Sequence, residues 1–127
     1  MKISQVQCAS AQSAAITSDG QLYLWGWSGE EPIFTPELVP QFTKKRVTNI
    51  SLGAYHVMAM VYNEDQTSTV YTWGNNGKGQ LGNGTTENSK IPTPVEALED
   101  KIVADICASE TSSGIITSSL FVVLYHL

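Results

Sequence analysis

Gly53-Ala54-Tyr55-His56 opens an apolar run that leads, through a polar link, to Val70-Tyr71-Thr72-Trp73-Gly74 and then to Asn75-Asn76-Gly77-Lys78-Gly79-Gln80-Leu81-Gly82-Asn83-Gly84. A second Trp-Gly pair elsewhere in the chain raises the question of repetition, because self-similarity at roughly 20 to 50 residues dictates architecture before any local propensity does. Leu22-Tyr23-Leu24-Trp25-Gly26 stands 48 positions before the matching segment that ends in Gly74. Upstream, Ile3-x-x-Val6 returns as Val47-x-x-Ile50 after 44 positions and as Val103-x-x-Ile106 after a further 56. Pro36 and Val39 align with Pro92 and Val95, also 56 apart. The unequal spacings place the length changes in connections between recurring strands.

Within each copy the residues read as antiparallel strands. Ser13 to Thr17 and Gln21 to Trp25 are β-prone runs joined by Ser18-Asp19-Gly20, and Asp-Gly between two such runs is a strong hairpin signal. The second copy makes the same hairpin from Tyr55–Val61 to Thr69–Trp73 across the polar link 63–68. No segment carries a capped, 3.6-periodic apolar face, so no substantial helix is expected and the class is all-β.

The order Gly-x-x-His (Gly53, His56), Trp-Gly (Trp73, Gly74), Gly-Gln-Leu-Gly (Gly79, Gln80, Leu81, Gly82) and Pro92 resembles a complete repeat of the regulator of chromosome condensation family. The resemblance implies a β-propeller, usually of about seven four-stranded blades around a central channel. This chain would hold two to two and a half of them, a partial propeller: repeat 1 over about 1–43, repeat 2 over 44–99, a truncated repeat 3 over 100–119, and an apolar tail, 120–127. Repeat 1 keeps Asp19, Gly20, Trp25 and Gly26 but has Ala9-Ser10-Ala11-Gln12 where repeat 2 has Gly53–His56, and it lacks the glycine loop. Open sheet edges in a partial ring predict marginal stability, self-association or completion by another polypeptide. The tail is a strand candidate and, unpaired, an aggregation hazard.

Composition narrows the chemistry. The 127 residues are 42% apolar and 15% charged, which describes one packed domain. Seven Lys and Arg against 12 Asp and Glu give a net charge of −5, unfavourable for direct nucleic-acid binding along a basic face. The start lacks a signal-peptide apolar core and no run is long enough for a membrane span, so the expected address is intracellular, cytoplasmic or nuclear. Gly77 to Gly82 satisfies G-x-G-x-x-G, but a polar, proline-bearing loop follows instead of a helix, so a structural loop with Leu81 plugging the core is expected. His56 reads as a packing residue without catalytic company, and Trp25 and Trp73 read as blade cores. Cys8 and Cys107 lie in apolar stretches and are expected in the core. No cofactor, metal or catalytic set is predicted. Acidic Glu30-Glu31 and Glu96–Asp100 read as solvated loops, and Lys44-Lys45-Arg46 is the one basic cluster, a possible contact for a protein partner. The family resemblance implies a protein–protein interaction module. The alternative it implies is regulation of a small GTPase, of the guanine-nucleotide-exchange type, by a longer parent protein.

Overall fold

The computed structural model describes residues 1–27, 32–99, 101–117 and 121–123. Glu30, Glu31, Asp100, His126 and most of the apolar tail lie outside the described residues. Strands β1 (Ile3–Cys8), β2 (Gln12–Thr17), β3 (Leu22–Trp27) and β4 (Pro32–Leu38) form one four-stranded sheet. A second is built from β5 (Arg46–Leu52), β6 (His56–Tyr62), β7 (Ser68–Gly74) and β8 (Ser89–Pro94). The third contains β9 (Val103–Ala108), β10 (Ser113–Thr117) and β11 (Phe121–Val123). Chain neighbours are sheet neighbours and every pair is antiparallel. These are the meanders of propeller blades, so the chain is an all-β partial propeller.

The blades repeat down to their irregularities. The first strand of each slips register at the same place: between Ile3 and Gln5, between Val47 and Asn49, and between Val103 and Asp105. Beside the first two slips a hydroxyl caps the neighbouring strand, Ser4 Oγ donating to Ile16 O and Thr48 Oγ1 to Met60 O, each at 3.2 Å. Residues 121–123 of the tail pair with β10, Ile115 opposite Val122, and so form the third strand of the third sheet. Among the described residues the helical content is two single 3-10 turns, Pro40–Phe42 and Glu96–Leu98, each following the last strand of its blade. No helix among the described residues is long and apolar enough to cross a membrane.

Side-chain alternation along each central strand turns successive residues to opposite faces, and both faces of the middle blade are buried. Val57, Ala59, Val61 and Trp73 meet Ala14, Ile16, Leu22 and Phe42 of the first blade. Met58, Met60 and Val70 meet Val103, Ile106 and Ile115 of the third. The hydrophobic core of the described residues is therefore two layers between blades. Each 3-10 turn supplies a plug to the layer that follows its blade. Phe42 is 1% exposed and packs edge-on to Tyr71 at 5.0 Å and against Trp73 at 5.8 Å; Leu98 does the same work in the second layer.

The layer arrangement corrects two expectations. Cys8 and Cys107 are exposed, not in the core. Cys8 stands 44 positions before the buried Leu52, on a face that no earlier blade covers among the described residues. Trp25, the counterpart of Trp73, is only half-buried for the same reason.

Candidate functional site

His56 begins β6 and is fully buried. Its Nε2 lies 2.9 Å from Ser113 Oγ in the third blade, and Ser113 Oγ donates to Gln80 O at 2.6 Å. Because the Ser113 hydrogen is committed to Gln80, Nε2 must be the donor and Nδ1 the bare nitrogen. Nδ1 has no hydrogen-bond partner and faces Gly53. A Cβ on Gly53 would collide with His56 Cε1 and Nδ1 and come within 2.7 Å of Ser109 O, so the Gly-x-x-His pattern is a steric pair. Protonating Nδ1 would bury an N–H with nothing to receive it. Burial accordingly pushes the imidazole down from 6.5 to about 4, with a Ser112 backbone contact opposing in part. His56 is thus a neutral strut between blades and offers no proton relay to solvent.

Gln12 holds the equivalent place in the first blade. Its Nε2 donates to Gly53 O at 2.9 Å and to His56 O at 3.1 Å. The residue that makes repeat 1 look degenerate therefore performs the same cross-blade task with an amide. A stability consequence follows from His56. Unfolded, it takes up a proton near pH 6.5; folded, only near 4. Stability is present above the upper value and declines by roughly 3 kcal/mol as pH falls through that window. Urea midpoints measured from pH 7 to 4 should show this slope, and His56→Gln should flatten it.

The glycine loop is organised by Asn76, which its sequence context does not single out. Asn76 is fully buried; its Nδ2 faces Asn83 Oδ1, Thr85 O, Thr85 Oγ1 and Glu87 O at 2.9–3.2 Å, and its Oδ1 accepts from Leu81 N at 2.9 Å. Gln80 ties Lys78 N and Asn75 Oδ1, and Leu81, 1% exposed, is held by Thr72 Oγ1 on its carbonyl. Gly79 and Gly82 take positive φ at the corners of this loop. No helix follows residues 77–82, so the formal G-x-G-x-x-G has no dinucleotide geometry. Gly74, at φ +111, has Tyr55 O only 2.5 Å from where a Cβ would stand, and Gly26 is hemmed in likewise by Ala11 O. Each Trp-Gly therefore ends where its backbone presses on the preceding strand.

Above this framework a cleft of about 310 Å³ opens between the first two blades, lined by Trp25, Tyr55, Trp73, Asn75, Asn88 and Lys90 among others. At the opposite end of the strands, Asp19 accepts from Thr17 Oγ1, and Gly20 passes under Arg46, whose Cγ lies 2.7 Å from a Cβ built there. Gly20 O accepts from Val47 N at 2.9 Å and Arg46 Nη2 reaches Ser18 O at 3.3 Å. The hairpin tip is thereby another blade-to-blade contact. Lys44 and Lys45 are exposed beside it. Among the described residues no three His, Cys, Asp or Glu side chains could hold a metal ion.

Two sequence profiles, each described as the regulator of chromosome condensation (RCC1) repeat, match residues 68–116 and 47–80. The chain is 33% identical over 123 residues to the RCC1 domain-containing protein RUG3, mitochondrial, of Arabidopsis thaliana, covering 91% of this chain and 27% of RUG3. It is 31% identical over 119 residues to human E3 ubiquitin-protein ligase HERC2, covering 87% of this chain but 2% of HERC2. The crystal structure of human WBSCR16 superposes with a TM-score of 0.75 at 21% identity, over 91% of this chain and 31% of that one. A chain from the structure of Kap60 bound to yeast RCC1 (Prp20) gives 0.71 at 24% identity, over 93% and 28%. Repeat order, blade topology and these matches lead to one assignment: the chain belongs to the regulator of chromosome condensation repeat family.

Proposed function

We propose that the chain is a non-catalytic protein–protein interaction module, a run of blades from a larger propeller. The supporting observation is the direction in which its chemistry faces. The titratable His56 is locked inward and neutral between blades, whereas the basic cluster Lys44, Lys45, Arg46 and the aromatic-lined cleft face outward. The basic cluster recognises a polypeptide with acidic residues. HERC2 is named as an E3 ubiquitin-protein ligase, and this chain matches 2% of its length.

The test is comparative capture with the immobilised chain and with a variant carrying Lys44→Glu and Lys45→Glu, Arg46 being kept because it packs over Gly20 and reaches Ser18 O between the blades. Quantitative mass spectrometry should show at least one acidic partner retained about tenfold less by the variant. Identical profiles would remove the basic cluster from the function. The alternative, small-GTPase regulation by a longer protein containing these blades, predicts faster release of fluorescent GDP from a Ran-type GTPase on adding the chain. An unchanged release rate counts against it.

A further inference from the structure

The glycine loop contains two Asn-Gly pairs, Asn76-Gly77 and Asn83-Gly84. In such a pair the glycine nitrogen, unshielded by any Cβ on its own residue, attacks the asparagine side-chain carbon and closes a five-membered succinimide. The fold treats the two pairs in opposite ways. Asn76 is fully buried, its Nδ2 faces four oxygens and its Oδ1 accepts from Leu81 N. Gly77 N donates to Asn75 Oδ1 at 3.1 Å. The attacking and the leaving nitrogen are both held there, and burial keeps out the water that must reopen the ring. Asn83 and Gly84 are exposed, with Gly84 at φ +78. Among the described residues Gly84 N donates to no group. The hydrogen bonds of the Asn83 side chain fall on Oδ1, which accepts from Asn76 Nδ2 and Thr85 N at 3.1 Å each and from Thr85 Oγ1 at 2.9 Å. These donors converge on the oxygen that gains negative charge when Gly84 N adds to Cγ, which is how an oxyanion is stabilised.

We propose that Asn83 is a self-modification site, converting to aspartate and isoaspartate without an enzyme, and that the isoaspartate form releases the buried Asn76. The Gly84 N to Cγ bond forms as the amide proton passes to solvent, and Nδ2 takes up a proton and departs as ammonia. Water, the sole co-reactant, then adds to one of the two imide carbonyls and breaks its bond to nitrogen. Opening at Cγ restores the ordinary main chain and leaves a carboxylate oxygen where Oδ1 stood, so the acceptor for Asn76 Nδ2 survives. Opening at the main-chain carbonyl carbon routes the chain through Cβ and Cγ. Oδ1 becomes a peptide oxygen, the main chain gains one carbon, and the clasp on Asn76 and Thr85 is lost. The chemistry needs no partner protein, so it stands or falls apart from the interaction-module reading.

Incubating the folded chain in mildly alkaline buffer, then mapping its peptides by mass spectrometry with electron-transfer fragmentation, locates the exchange of ammonia for water and separates aspartate from isoaspartate. Asn83 should react about tenfold faster than Asn76, or more, because only Asn76 has its nitrogens held. In urea the two should react alike. The isoaspartate form, isolated by chromatography, should exchange its Leu81 amide about tenfold faster than the parent, whereas Asn83→Asp, which keeps the acceptor, should protect Leu81 as the parent does. Equal rates at the two sites in the folded chain, or no reaction at Asn83, would overturn the proposal. So would a preference for Asn83 that persists undiminished in urea, since it would then belong to the sequence and not to the fold. Unchanged Leu81 exchange in the isoaspartate form would show that Asn76 is not released.

Discussion

Replacing Phe42 by Ala should lower the stability of the chain by about 4 kcal/mol, the middle of the range for truncating a buried aromatic. The site has little capacity to collapse. Phe42 sits on a single 3-10 turn, is 1% exposed, and fills the layer between two sheets by meeting Tyr71 and Trp73. Both sheets are rigid meanders, so a cavity opened between them persists, and dispersion contacts on both sides are lost with the transfer term. Domains are stable by only about 5–15 kcal/mol, so the variant should lose a large share of the total. Chemical denaturation monitored by tryptophan fluorescence is the measurement, Trp73 reporting this layer directly. Phe42→Leu is the informative control. Leu98 plugs the second layer at the equivalent place, so leucine should cost less than half as much as alanine. Equal losses would mean that the aromatic contacts, and not the filling of the layer, hold the blades together.

Asn76→Asp should be comparably damaging, by about 4 kcal/mol, although it exchanges nearly isosteric side chains. The amide nitrogen of Asn76 is surrounded by four oxygens, from Asn83, Thr85 and Glu87. A carboxylate would place a fifth, charged oxygen in the same spot, buried and without donors. Only the oxygen that accepts from Leu81 N would keep its role. The loop over 75–88 should then lose order while the strands on either side remain paired. Hydrogen exchange at the Leu81 amide should accelerate far more than at Ala59 in mid-strand. Acidification should relieve part of the defect by protonating the introduced carboxyl, the reverse of the trend expected from His56. Wild-type-like exchange at Leu81 would show that the loop does not depend on this amide.

How far the residues announce these features differs from case to case, for physical reasons. Hairpins are local: Asp19-Gly20 and the alternating runs on either side specify strand, turn and strand without outside help. The glycine loop is nearly as local, since Gly79 and Gly82 must turn and Leu81 must bury. Asn76 is not legible in the sequence because an asparagine next to glycines is also what any exposed turn carries; only its burial separates the two. Gln12 was legible as a departure from His56 but not as its functional equal, because equivalence rests on what each side chain reaches in the next blade. Cys8, Val6 and Ile3 have the composition of a core strand and are exposed nonetheless.

Periodicity, turn chemistry and the spacing of Gly-x-x-His, Trp-Gly and Gly-Gln-Leu-Gly thus sufficed for the all-β class, the blade meander and the family. These depend on interactions within about 50 residues of chain, the length of one repeat. The tertiary structure alone decided which face of each strand is covered, that Arg46 crosses Gly20, that His56 is a neutral strut to Ser113, and that both cysteines lie outward. Those properties depend on which blade stands next to which, and a strand's residues are the same whether or not a neighbour covers them.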